Sequence, residues 1–213
     1  MKNTETYFVT GISTEVGKTI ASAILTEALQ ADYWKPIQAG ELDNSDTHKV
    51  QRLVSNKRTT FHPSTYHLKS PMSPHAAAEL DGVKISAKKM KRPETQNTLV
   101  IEGAGGILVP LNQTETIVDL IHKDDKVIVV SRHYLGSINH TLLTVAALKT
   151  RNLNVIGIIF SGTQNPSTES IISEMTKVPI LGRIEEEPYF DENVVLEYAA
   201  HLETGLKGTK SQE

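Results

Sequence analysis

Gly17, Lys18 and Thr19 place a flexible backbone, an ammonium and a hydroxyl in three consecutive residues. Between a buried strand and a helix, that trio can hold a triphosphate. Backbone N–H groups converge on phosphate oxygens, and the helix start adds about half a positive charge. The lysine reaches the β- and γ-phosphates, and the threonine hydroxyl reaches Mg²⁺. The flanking sequence supplies the context. Thr6 to Thr10 (TYFVT) reads as a buried strand, and Lys18 to Gln30 carries Ile20, Ala21, Ile24, Leu25, Ala28 and Leu29 at helical spacing. One feature departs from the usual template, which places four residues between the first glycine and Gly-Lys-Thr. Here Gly11 leaves five, with Glu15 and Val16 inside the loop. The competing reading makes Thr19 a helix-interior residue and Lys18 a solvated charge, and it leaves the strand-to-loop run unexplained.

A second acid-and-glycine run strengthens the phosphate reading. TLVIEGAGG ends an apolar strand at Glu102 and continues through Gly103, Ala104, Gly105 and Gly106. Ligands of open parallel sheets sit at the carboxyl ends of the strands. An acid there can hold Mg²⁺ or its waters, and glycines let backbone approach phosphate. The plainer reading is an acid at a strand-to-loop junction. The third run, YWKPIQAG followed by NSD, brings Lys35 to a strand end and Asp46 to a helix start. Asp46 is either the helix cap or a further metal-side carboxylate, and spacing alone weighs the two nearly equally. Lys35 could also be a solvated residue before Pro36.

The elements that must position these groups are those of an α/β protein. Thr98–Gly103, Lys126–Ser131 and Asn154–Phe160 are continuous apolar runs, as expected for strands buried on both faces of a parallel sheet. Tyr33–Ile37 and Val178–Gly182 are weaker strands, with Pro36 and Pro179 marking ends or edges. Ser137 to Lys149 and Glu192 to Leu202 have helical patterns. The fold class is therefore α/β and P-loop NTPase-like: a mostly parallel sheet with helices on both faces, in three α/β/α layers. Residues 1–206 read as a single ATPase-like domain and residues 207–213 as a polar, disordered tail. Residues 56–91 are either a cover over the site or a surface insertion. A chain of 213 residues with 38% apolar content buries enough surface to fold without staples. Its lack of cysteine excludes disulfides, thiolate metal sites and cysteine nucleophiles. With no secretory leader, no membrane-length apolar run and a net charge of −3, the expectation is a cytoplasmic protein with no nucleic-acid or membrane partner.

Five separated motifs occur in one order: Thr14–Thr19 (TEVGKT), Lys35-Pro36 with Gly40 and Asn44–Asp46 (NSD), Ser73–Ala78 (SPHAAA), Glu102–Gly106 (EGAGG), and Leu135–Thr144 (LGSINHTLLT). Together they resemble the ATP-dependent dethiobiotin synthetases, whose long glycine loop has the form G-T-D-T-E-V-G-K-T. The resemblance runs from about Tyr7 to about Ile184. It implies a ligase of biotin biosynthesis that uses ATP, Mg²⁺ and CO₂ to close a ureido ring on 7,8-diaminopelargonic acid. It implies Glu15, Val16, Gly17, Lys18, Thr19, Asp46, Glu102, Gly103, Ala104, Gly105 and Ser161 as nucleotide-side residues, with Thr19, Asp46 and Glu102 holding the metal. Lys18, Lys35 and Thr14 would serve catalysis. Thr14, Lys35, Ala39 and Gly105, with Gly136 and Asn139, would contact substrate. The last two would reach the site of a partner subunit, because members of this family act as homodimers.

The sequence also departs from the family pattern. Ile12 and Ser13 stand where many relatives carry Thr-Asp, removing a carboxylate. Ala39 replaces a hydroxyl residue, a hydrogen bond worth about 0.5–1.5 kcal/mol. Ser161 replaces the asparagine that commonly reads adenine, and GRIEEEPYF should border base or ribose with unusual acids. Two rivals follow. A ParA/MinD-type regulatory ATPase would carry a second lysine early in its loop, and residues 12–16 (Ile-Ser-Thr-Glu-Val) have none. A catalytically weak relative would bind ligand without turnover. Among the eight histidines, only His75 has motif support, and its expected role is structural. The basic run KISAKKMKR reads as a solvated helix face.

Overall fold

A computed structural model describes residues 4–209. Seven strands form one parallel sheet in the order β4-β2-β6-β1-β7-β8-β9: β1 (Thr6–Gly11), β2 (Asp32–Trp34), β4 (Phe61–His62), β6 (Leu99–Gly106), β7 (Lys126–Arg132), β8 (Asn154–Ser161) and β9 (Ile180–Ile184). A two-stranded parallel sheet joins β3 (Ile37–Ala39) to β5 (Tyr66–Leu68). The continuous apolar runs became the central strands because both sheet faces are covered, so Phe8, Val9, Val100, Val127, Ile128 and Val129 are all fully buried.

The helices are α1 (Lys18–Leu29), α2 (Asp46–Leu53), α3 (Pro74–Leu80), α4 (Ser137–Thr150), α5 (Pro166–Thr176) and α6 (Glu192–Thr209). α1 packs with α2 and α6, whereas α4 packs with α5, so two helical groups flank the sheet in the expected three layers. α1 is buried along most of Ala21 to Glu27 because β1, α2 and α6 all close on it. Among the described residues no helix is long and apolar enough to cross a membrane.

The differences from the sequence reading lie at prolines and in short elements. Tyr33–Ile37 is not one strand. Pro36 has no N–H to give a ladder, so β2 ends at Trp34 and the chain steps into the second sheet as β3. Nor is β2 an edge, since β4 pairs outside it. β9 begins after Pro179 and is an edge. α6 runs beyond Leu202 to Thr209, into the segment expected to be a tail; residues 210–213 lie outside the described residues. α5 went unread from the sequence, although Asn165 caps it by accepting from the Thr168 N–H at 3.2 Å and Pro166 opens it. The basic run is extended with one tight turn at Ala87–Lys89, not a helix face, and Arg92 at its end turns inward to Asp125. His75 is exposed.

Candidate active site

The loop after β1 curls because two of its residues take left-handed backbone: Glu15 at φ 54° and Gly17 at φ 93°, the latter opening α1. This is how the extra residue is accommodated. The loop folds so tightly over Gly11 that a Cβ there would lie 2.6 Å from both the Ser13 oxygen and the Val16 side chain. Val16 is buried and anchors the loop in the core, so it can meet a ligand only through its backbone, while Thr14 and Glu15 are exposed. The Lys18 ammonium donates to the Ser13 carbonyl at 3.0 Å. Lys18 is 8% exposed; burial, helped by the nearby Lys35 charge, pulls its pKa down to about 8.

Glu102 lies at the centre of the site on β6, 1% exposed. Its Oε1 accepts from the Thr19 hydroxyl at 3.0 Å and from Lys35 Nζ at 2.8 Å, and its Oε2 accepts from the Tyr33 hydroxyl at 2.7 Å. Lys35 Nζ also pairs with Asp46 at 2.6 Å. Burial opposes the Lys35 charge, but the carboxylates of Glu102 and Asp46 outweigh it and hold its pKa above the ordinary lysine value. Burial likewise pushes Asp46 up, and Lys35, backed by Lys49 and Lys18, brings it below the usual carboxylate range. The solvated reading of Lys35 is thereby overturned.

Asp46 is not the cap of α2. Ser45 is: its Oγ accepts from the His48 N–H at 3.3 Å, and the His48 ring returns a bond to the Ser45 N–H. Asp46 therefore occupies the first helical position with its carboxylate turned to Lys35, and Gln38 accepts its N–H at 3.1 Å.

Thr14, Lys18, Thr19, Lys35, Ala39, Asp46, Glu102, Ala104 and Gly105 line one cleft of about 980 Å³ at the carboxyl ends of β1, β2 and β6. Thr14 and Gly105 face each other closely, since a Cβ on Gly105 would lie 3.6 Å from the Thr14 methyl. Pro71 to Pro74 form another wall, so this short part of residues 56–91 borders the site. Gly103 is a packing glycine: a Cβ there would meet the Phe8 ring at 3.1 Å. A smaller pocket of about 260 Å³ opens beyond Gly17, lined by Ser161, Arg132, Glu185, Glu186 and Glu187. Arg132 donates to the Glu15 carbonyl at 3.3 Å and pairs with Glu186 at 3.4 Å. Gly136 and Asn139, at the start of α4, line neither pocket. Tyr33, Gln38, Ser45 and Arg132 escaped the sequence reading.

Thr19, Asp46 and Glu102 offer a hydroxyl and two carboxylates, the hard oxygen donors that suit Mg²⁺ beside phosphate. One ammonium touches both carboxylates, so the two already converge on a single cation.

A family model described as an AAA domain matches residues 5–194. An ATP-dependent dethiobiotin synthetase BioD of Christiangramia forsetii is 65% identical over 195 residues, covering 92% of this chain and 94% of the relative. That of Cytophaga hutchinsonii is 50% identical over 198 residues, covering 92% and 96%. Among solved structures, the cell division ATPase MinD of Pyrococcus furiosus superposes with a TM-score of 0.63 at 12% identity, covering 96% of this chain and 98% of that one. At that identity the likeness speaks for the fold alone. The glycine loop, the Lys35–Glu102 centre and the extent of the sequence match lead to one assignment: the chain belongs to the ATP-dependent dethiobiotin synthetase family.

Proposed function

We propose that this protein is an ATP-dependent dethiobiotin synthetase, joining CO₂ to 7,8-diaminopelargonic acid and closing the ureido ring with release of ADP and phosphate. The chemistry needs three bond changes. One amine of the diamine adds to CO₂, loses a proton and becomes a carbamate. A carbamate oxygen attacks the γ-phosphorus, the bond to the bridging oxygen of ADP breaks, and a carbamic–phosphoric anhydride forms. The second amine then attacks the carbamoyl carbon, phosphate leaves with the bonding pair, and the amine proton passes to solvent or phosphate.

The observation that carries the reading is the convergence of Lys18, Lys35 and Glu102 in one cleft, in a chain 65% identical to a dethiobiotin synthetase. Both the carbamate and the triphosphate are anions, so their approach must be screened. Lys35, held protonated by two carboxylates, supplies a fixed charge where the carbamate would meet the γ-phosphate. Lys18, folded back on the Ser13 carbonyl, is placed to swing onto phosphate oxygens. Thr14 and the Gly105 backbone form the side of the cleft suited to the diamine. Thr19, Asp46 and Glu102 would hold Mg²⁺, which adds charge neutralisation at the phosphates. Ala39 lines the same cleft without a hydroxyl to give. Ser161 borders the smaller pocket, which suits the base.

A second copy of the chain belongs to the reading. Gly136 and Asn139 lie outside their own cleft, and beside them Leu135 is fully exposed, with Leu143 59% and Tyr134 38% exposed. A homodimer that buried this patch would bring the N-terminal end of α4, with its partial positive charge, to the substrate carboxylate in the neighbouring cleft. The test of function is substrate-triggered hydrolysis. Phosphate release from ATP should be slow with Mg²⁺ and bicarbonate alone and should start on adding the diamine. Release at one rate with and without it would refute the ligase.

A further inference from the structure

Glu102 has two oxygens with different partners. Oε1 serves the cleft side, taking the Thr19 hydroxyl and Lys35. Oε2 takes the Tyr33 hydroxyl, at 2.7 Å. Tyr33 is fully buried, and its ring leans on Phe61 with centroids 6.2 Å apart at 54°. The strand register explains the contact. Tyr33 stands opposite Val100 on β6, and Glu102 lies two residues further along the same face, within reach of a long side chain. Lys35, just past the end of β2, reaches the same carboxylate, so three consecutive residues supply both a clamp and a charge to it.

We propose that Tyr33 is a positioning residue for the reaction: its hydroxyl holds Oε2 of Glu102, and so fixes Oε1 toward Thr19, Lys35 and the phosphate side of the cleft. A carboxylate turns easily about its last bond, and Glu102 is long enough to swing. With the clamp in place, turning it would give up a buried hydrogen bond. Without the clamp, Oε2 would be buried with no donor, and Lys35 would be drawn toward it and away from Asp46. The cost falls on whatever relies on the placement of Oε1. The inference rests on the reading that Glu102 helps hold Mg²⁺ on the nucleotide.

The test uses ADP and Mg²⁺ as probes, with calorimetric binding measured in chelator and across a Mg²⁺ series, for the unmutated protein, Tyr33→Phe and Glu102→Gln. Tyr33→Phe keeps the ring against Phe61 and removes only the donor. In chelator its ADP affinity should stay within about twofold of the unmutated protein. The Mg²⁺ concentration giving half of the metal-dependent gain should rise on the order of tenfold, as when a group supporting a metal ligand is lost. Glu102→Gln should raise it at least as far. If Glu102→Gln moves the midpoint and Tyr33→Phe does not, the clamp is wrong while the metal reading stands. If Tyr33→Phe weakens ADP equally with and without Mg²⁺, Tyr33 merely supports the fold and the inference is overturned. If Glu102→Gln leaves the midpoint in place, the metal reading fails and takes the clamp with it.

Discussion

Replacing Lys18 with methionine should make the ligand-free protein harder to melt while ending its chemistry. Lys18 is 8% exposed, and its pKa falls from 10.5 to about 8 because burial and the Lys35 charge both disfavour the ammonium. Each tenfold in proton affinity is worth about 1.4 kcal/mol, so keeping this side chain charged in the fold at neutral pH costs about 3 kcal/mol. Methionine has a similar length and no charge. It forfeits the bond to the Ser13 carbonyl, worth about 1 kcal/mol. The net gain is about 2 kcal/mol, or about 4–8 °C in melting temperature for a domain of this size. The sign with pH follows. Between about 8 and 10.5 the unfolded chain holds a proton on Lys18 that the fold does not, so the unmutated protein gains stability from this group as pH rises through that window. The advantage of methionine is therefore greatest below the window and gone above it. Thermal melts by circular dichroism, in chelator and without nucleotide, would read both effects. A variant that melts at or below the unmutated protein at neutral pH, or a gap that does not change across the window, would refute the reasoning. Turnover should fall by about 10²–10³, the usual loss when a group stabilising transition-state charge is removed.

Lys35→Met should do the opposite to the fold. It strands the buried Glu102 and leaves Asp46 without its partner, so melting should show a loss of about 3–5 kcal/mol along with lost turnover. Gly17→Ala should cost about 1–3 kcal/mol through its φ of 93° and should abolish tight ATP binding by calorimetry, because the new Cβ would lie 2.8 Å from the Ser161 hydroxyl. Adding Ser161→Gly removes the clash but not the backbone strain, so rescue should be partial. Leu135→Glu should leave ATP binding intact while sedimentation shows a monomer and turnover falls, since it places a charge on the exposed patch proposed to meet a second copy.

The central strands were legible because burial on both faces demands unbroken apolar runs, and Phe8–Val9 and Val127–Val130 supply them. β3, β4 and β5 were not, because two or three residues leave no period to read. α5 hid because, of its apolar residues Ile171, Ile172 and Met175, only Ile172 is buried, so its stripe is barely one residue wide. In the site, Lys18, Thr19 and Glu102 were legible from the chemistry of a strand-to-loop junction. The cap of α2 was not, since Ser45 and Asp46 are both good capping residues and one position apart. His48 decides it by closing the box on Ser45. Tyr33 was invisible as a site residue because a tyrosine in a buried strand is what packing alone would choose. Only the hydrogen bond to Glu102 distinguishes it. Gly136 and Asn139 carried motif support, yet a single chain gives them no cleft to act in.

The most direct test of the whole account is the product. Purified protein would be mixed with 7,8-diaminopelargonic acid, ATP, Mg²⁺ and isotopically labelled bicarbonate, and the mixture read by mass spectrometry. The expected result is dethiobiotin carrying one labelled carbon, formed in step with ADP. ADP without labelled dethiobiotin, or neither, would contradict it.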